Sequence, residues 1–262
     1  MNILKSVEGL QGRFNDVLFH PSSLPNVIKR VVCFFGGDTQ DYEASMLNDS
    51  NSCIYAKWSL ENTLKILSTQ FPSDDIFIIR TSKFASNHFA CYNNFVPVDH
   101  LGSPKHNFSS NSLHHLNYLL TNSRKLLNLP ENFNKITLIG FSKGCVVLNQ
   151  FLYAFHSLDQ SLIEFTNKIT DIYWLDAGHC GGSNIWITKN DILEQFAKLN
   201  INVHVHVTPY QIKCITRPWI GKEEKIFTET LIKHGVTVQR TVHFDNLPGQ
   251  LDWHFELLNT FK

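Results

Sequence analysis

Ile136-Thr137-Leu138-Ile139-Gly140-Phe141-Ser142-Lys143-Gly144 runs directly into Cys145-Val146-Val147-Leu148-Asn149-Gln150-Phe151-Leu152. An apolar run of strand length stops at Gly-x-Ser-x-Gly, and a helical apolar pattern begins at once. That layout predicts a nucleophile elbow: the serine sits on a tight strand-to-helix turn with its hydroxyl above the sheet, and glycines flank it where no side chain fits. The N–H of Lys143 would then point toward a developing oxyanion, helped by the positive end of the following helix. The bare pattern arises by chance in about one chain in ten of this length. Its place between an apolar strand and an apolar helix is what makes it informative. The plainer alternative is a glycine-rich turn whose serine caps the helix starting near Cys145.

Outward from the elbow, the chain alternates strand and helix. Residues 17–20 suggest a short strand ended by Pro21 and Pro25. Val31-Val32-Cys33-Phe34-Phe35 and Ile76-Phe77-Ile78-Ile79 are apolar runs without alternation, as expected of strands covered on both faces. Trp58, Leu60, Leu64 and Leu67 fall at helical spacing over 56–70, and Leu113 to Leu127 do so over 111–127. Residues 82–110, with His88, Cys91, Tyr92, Pro97, His100 and Pro104, are polar and irregular; a stretch that long predicts a lid or an active-site loop. Beyond the elbow helix, which runs to about Phe155, come a helical piece near 157–167, a strand from Ile169 to Leu175 and a helix over 190–199. A strand over 203–207, a helix over 222–233, a strand from Val236 to Phe244 and a terminal helix over 252–261 complete the series. The pattern specifies a single α/β domain with a doubly wound, mostly parallel sheet and right-handed crossovers. Ligands in such sheets bind at the carboxyl ends of the strands. Ser142, the Gly36-Gly37-Asp38 turn and Asp176 all fall at that edge.

Composition narrows the function. Hydrophobic residues make up 43% of the 262 and charged residues 18%, which suits a large core and argues against disorder. Lys+Arg and Asp+Glu balance at 23 each, so no net field recruits nucleic acid or an anionic membrane. Six well-separated cysteines without Cys-x-x-Cys suit a reducing compartment, with Cys33 and Cys145 as small apolar groups. No apolar stretch reaches the roughly 18 residues of a membrane span. The N-terminus lacks the apolar core of a signal peptide and resembles no transit peptide, so a soluble intracellular protein is expected.

A serine needs a base, and the base an orienting group. In α/β-hydrolases these follow in the order Ser, acid, His. His243, inside the last strand, and His254, beyond it, are the candidates. His243 shares the face of Thr237, Gln239 and Thr241, which favours a satisfied strand histidine. His254 lies past a turn-rich loop, near the first turn of the terminal helix, and is the expected base. The usual acid position, after 203–207, holds Pro209-Tyr210-Gln211 and no carboxylate before Glu223. Asp176, one strand earlier, is therefore the expected acid, with Glu223 as a weaker stand-in and a turn aspartate as the alternative. The second oxyanion donor should be the N–H of Gly37 or Asp38. The Asp38 carboxylate is awkward there, since like charge opposes an oxyanion. His204-x-His206 could bind a metal but reads more simply as a satisfied strand pair. His114-His115 read as surface, and His179-Cys180 as a loop near the site. No phosphate-cradling glycine motif occurs, and no cofactor or metal is implied.

Phe34-Phe35-Gly36-Gly37-Asp38-Thr39-Gln40, Trp58-Ser59-Leu60-Glu61-Asn62, the elbow through Gln150, and Tyr173-Trp174-Leu175-Asp176 together resemble one uncharacterised family, named after human chromosome 2 open reading frame 69. Gly181-Gly182-Ser183-Asn184, Val207-Thr208-Pro209-Tyr210-Gln211 and Trp219-Ile220-Gly221-Lys222-Glu223 are similar too, so the resemblance runs from about residue 12 to the C-terminus. It implies an α/β-hydrolase-like fold, serine hydrolase activity without a defined substrate, and mitochondrial residence in vertebrate members. Two departures stand out: the absence of an evident targeting extension, which makes the cytoplasm the alternative expectation to mitochondria, and a short segment before the elbow strand where vertebrate members look longer and polar. That insert is not expected to serve the shared chemistry.

Two functions are therefore carried forward. In one, Ser142, His254 and Asp176 hydrolyse a small acyl ester or thioester. In the other, a hydrolase fold without turnover acts through a protein partner.

Overall fold

The computed structural model describes residues 1–24, 30–86, 89–100, 102–130 and 132–262; Pro25 and His88 lie outside them. In chain order its elements are β1 (Asn2–Glu8), β2 (Phe14–His20), β3 (Arg30–Phe35), α1 (Glu43–Leu47), α2 (Leu60–Gln70), β4 (Asp75–Ile79), β5 (Lys83–Ala85), β6 (Phe89–Cys91), α3 (Asn111–Leu126) and β7 (Lys135–Phe141). There follow α4 (Cys145–His156), α5 (Ile163–Thr166), β8 (Ile169–Leu175), α6 (Asn190–Ala197), β9 (Asn202–Val207), α7 (Pro209–Ile212), α8 (Trp219–Lys233), β10 (Val238–Val242) and α9 (Leu251–Thr260).

Among the described residues the main sheet has the order β1-β2-β4-β3-β7-β8-β9-β10. From β4 to β10 every pairing is parallel, while β1 and β2 add an antiparallel edge. The unalternating runs have the expected cause. Val31, Cys33 and Phe35 pack into one core cluster with α3, α4, α6 and α8, while Val32 and Phe34 pack into the other with α2 and α9. Strand side chains point alternately to opposite faces, so a strand covered on both must be apolar at every position. In α4 Asn149 is buried: its amide donates to Ile185 O at 2.9 Å and its carbonyl accepts from Trp174 Nε1 at 3.1 Å, tying the elbow helix to β8 and the loop beyond it.

Three expectations need correction. The segment 82–110 is not uniformly a polar loop. It opens with the β5–β6 hairpin and sends Tyr92, Phe95 and Val96 into the core. His115 is not a surface residue, because it lies on the inner side of α3, fully buried. Its ring is satisfied by Asn15 Oδ1 at 2.8 Å and by the Leu10 N–H at 2.9 Å, and burial pushes its pKa down to about 4. The last strand ends at Val242, so His243 stands just beyond it, bonded to His206 at 2.9 Å.

Candidate active site

The elbow is held by sterics. A Cβ on Gly144 would sit 2.0 Å from Phe35 O, and one on Gly140 would sit 2.9 Å from the Cys145 Cα. The start of α4 therefore passes so close to β3 and to the end of β7 that only glycine fits at these two positions. Between them Ser142 adopts φ 51°, a left-handed conformation that costs a non-glycine residue of order 1 kcal/mol or more and that the surrounding packing must enforce.

Asp176, the residue after β8, is also left-handed at φ 47° and wholly buried. Its carboxylate is saturated. Oδ1 accepts from the Thr208 N–H at 2.8 Å, while Oδ2 accepts from Thr208 Oγ1 at 2.5 Å and from His254 Nδ1 at 2.7 Å. A proton on Nδ1 leaves Nε2 as the lone-pair nitrogen of the neutral ring. The ring rests against Phe141 at 4.6 Å and Tyr210 at 5.0 Å between centroids. It projects from the first turn of α9, whose Phe255, Leu257 and Leu258 are buried in the α2 cluster and so fix the helix. Glu223 is occupied elsewhere: its carboxylate accepts the N–H groups of Asn184, Ile185 and Trp186.

Ser142 and His254 line one cavity of about 250 Å³ at the carboxyl edge of the sheet. Asp38 and Thr39 after β3, Gly178 to Cys180 after β8, Tyr210, Gln211 and Arg217 after β9, and Leu251 and Phe255 complete most of its wall, with Tyr55 and Phe89 beside them. The loops after four neighbouring parallel strands and the segment after β10 thus converge where such sheets bind ligands. A larger cavity of about 600 Å³ between α7, α8 and β10 holds the Glu224–Arg240 pair, closed at 2.8 Å, and lies apart from the serine.

Of the two N–H groups expected from the β3 turn, that of Gly37 is spent on Gln40 Oε1 at 2.8 Å. The Asp38 N–H meets no acceptor among the described residues. Lys143 stands in the first turn after the serine, where N–H groups have no intrahelical partner. Its ammonium is buried and turned away, donating to Gly102 O at 2.8 Å. The Asp38 carboxylate accepts the Ala90 N–H at 2.7 Å and so anchors the β5–β6 hairpin. Burial pushes its pKa up to about 6, against the opposing pull of Lys143, the Ala90 N–H and His254.

This raised value has a consequence for stability. The folded chain holds the Asp38 proton more tightly than the unfolded chain does, so the contribution is full below the ordinary value of 3.8 and is lost as pH rises through about 6. Asp38→Asn keeps an acceptor for Ala90 and removes the buried charge. It should stabilise the protein above pH 7 by about 1–2 kcal/mol, roughly 2–6 °C in Tm, and the gain should vanish toward pH 4. Thermal unfolding at pH 8 and pH 4.5 checks this; equal midpoints at pH 8 would contradict it.

Other expected groups are placed away from the cavity. His204 Nε2 meets Asp171 Oδ1 at 2.9 Å with its ring stacked on Tyr173, and His206 Nδ1 meets His243. Neither joins a metal-ligating cluster among the described residues. His179 does line the cavity; burial pushes its pKa down to about 4, with Asn184 O accepting from Nε2 and the Gly181 N–H donating to Nδ1. Thr208, Gln40 and Arg217 were missed by reading the sequence. Thr208 stands immediately after β9, beside the position searched for a carboxylate, where its N–H and hydroxyl bond Asp176 at the end of the neighbouring strand.

Comparison with known proteins agrees with this architecture. Residues 3–134 and 128–237 match the model of the family described as C2orf69. "Mitochondrial protein C2orf69 homolog" of Danio rerio is 35% identical over 247 residues, covering 88% of this chain and 72% of the relative. "Mitochondrial protein C2orf69" of Homo sapiens is 35% identical over 283 residues, covering 88% and 74%. Among solved structures, enterochelin esterase from Shigella flexneri aligns over 99% of this chain with a TM-score of 0.53 at 11% identity, and this chain spans 56% of that esterase. Esterase Est22 aligns over 98% of this chain and 75% of its own, with a TM-score of 0.53 at 13% identity. Likeness at such identity speaks for the fold alone, which is that of α/β-hydrolases. No helix among the described residues is long and apolar enough to cross a membrane.

Proposed function

The chain belongs to the C2orf69 family, and from the geometry at its sheet edge we propose that it is a serine hydrolase of small acyl esters or thioesters. The observation that carries this reading is the 2.7 Å bond from His254 Nδ1 to the buried Asp176 carboxylate, in a histidine that borders the same cavity as the strained Ser142.

The reaction follows from the roles. Ser142 Oγ attacks the acyl carbon while His254 Nε2 takes its proton. Asp176 holds the ring in the tautomer that leaves Nε2 basic and stabilises the imidazolium that forms. The N–H groups of Lys143 and Asp38 bind the oxyanion, with the Gly37 N–H kept by Gln40. Collapse expels the alcohol or thiol, which takes the proton from His254. Water then repeats the sequence on the acyl-serine, releasing the carboxylic acid and restoring the hydroxyl. Every proton is carried by the chain's own groups, so the reaction as written uses no cofactor or metal. The 82–110 segment, with Phe89 at the cavity and Ala90 tied to Asp38, serves as one wall of the substrate pocket. The mitochondrial names of both relatives support mitochondria as the place of work.

A fluorophosphonate probe tests the reading. Wild type should be modified at Ser142, located by peptide mass spectrometry, and heat-unfolded protein should not. Equal modification of wild type and Ser142→Ala would defeat it.

A further inference from the structure

We propose that Arg217 makes this cavity selective for esters or thioesters that carry a carboxylate or phosphate away from the bond being cleaved. The inference rests on the hydrolase reading and adds the substrate's charge to it. Arg217 lies between α7 and α8, half-buried, and lines the cavity that holds Ser142 and His254. Of the other arginines withdrawn from solvent, Arg80 takes Asp41 and Arg124 takes Asp75, while Arg13 is spent on Asn94 O at 2.8 Å. Arg217 pairs with no carboxylate among the described residues. Its guanidinium donates from Nη2 to Gln211 Oε1 at 3.4 Å, long for a bond from a charged donor.

That contact orients the group without neutralising it. Gln211 is buried, and its own amide donates to Asp176 O at 3.4 Å, so the arginine is braced on the segment that carries the acid. The acid in the cavity wall is otherwise engaged: Asp38 accepts from Ala90, and the cations acting on it are Lys143 and His254. The guanidinium instead acts on groups other than carboxylates: it adds to the burial that depresses His179, opposes the burial that raises Tyr210, and joins Thr216 in lowering the Cys214 thiol through a hydrogen bond. A planar fork of donors, partly desolvated and lacking a carboxylate, matches the two oxygens of a carboxylate or phosphate. The cavity of about 250 Å³ limits the ligand to a short chain on either side of the ester.

The test compares three chromogenic esters of similar size: nitrophenyl butyrate, the nitrophenyl half-ester of glutarate, and the butyrate ester of a carboxylated nitrophenol. Wild type should favour one of the charged esters over the neutral one by about tenfold or more in kcat/KM, and which one places the anion on the acyl or leaving-group side. Arg217→Met should bring that ratio to about one, and Arg217→Lys should restore part of it. A wild-type ratio of one or below, or a ratio untouched by Arg217→Met, overturns the inference while leaving the hydrolase reading intact. If no ester is turned over, the hydrolase reading falls by itself, and thermal shift with glutarate and with inorganic phosphate decides the anion site. Stabilisation of wild type that Arg217→Met lacks upholds it; no stabilisation of wild type overturns it.

Discussion

His254→Ala should lower kcat/KM for a short acyl ester by about 10⁵-fold, close to the loss from removing the nucleophile itself. Without the imidazole the carboxylates and the second histidine near the cavity are already engaged, Asp38 by the Ala90 N–H. Asp176 is saturated by Thr208, and the nearby His179 already accepts the Gly181 N–H on Nδ1 and donates to Asn184 O from Nε2. The fold should survive, because the α9 residues that pack against α2 are Phe255, Leu257 and Leu258. Steady-state kinetics with circular dichroism checks both halves, and added imidazole should recover part of the rate. A well-folded variant retaining more than about a tenth of wild-type activity would place the base elsewhere.

Asp176→Asn should be nearly as damaging and should also cost stability. The amide removes the charge that favours the imidazolium and allows the ring to settle in the wrong tautomer, a change worth about 10⁴ in kcat where this constellation has been dissected. Three donors converge on the carboxylate: the Thr208 N–H, the Thr208 hydroxyl and His254 Nδ1. An amide offers only one oxygen: its NH₂ meets either the Thr208 N–H, a donor, or the Thr208 hydroxyl and His254 Nδ1, which must then both turn to accept, in a site closed to water. An unsatisfied buried group costs about 1–3 kcal/mol, roughly 2–9 °C in Tm for a chain of this size. Thr208→Val separates the two effects: it should lower Tm comparably, while His254 keeps its carboxylate and most of the rate is retained. If Asp176→Asn lost stability but kept its rate, the carboxylate would be a structural clamp.

Much of the architecture was legible because it rests on short-range rules. A strand buried on both faces must be apolar at every residue, and Val31–Phe35 and Ile76–Ile79 are. Gly140 and Gly144 are imposed by contacts within the elbow and with the end of β3. Of the antiparallel edge, β2 was legible in part through its buried Val17–Phe19 run, while β1 is largely solvent-exposed and shows no continuous apolar run. His115 was misjudged because a buried histidine satisfied by Asn15, 100 positions away, looks in the sequence like any polar helix residue.

By itself the sequence determined the doubly wound sheet, the serine at its crest and the edge where partners must gather, since periodicity and steric exclusion act between near neighbours in the chain. Tertiary structure alone decided the pairings: Asp176 with His254 across 78 positions, Gln40 consuming the Gly37 N–H, Glu223 drawn off to residues 184–186, and Arg217 left lining the cavity with no carboxylate among the described residues. The reason is that hydrogen bonds and ion pairs are settled by distances of about 3 Å in space, which separation along a chain does not encode.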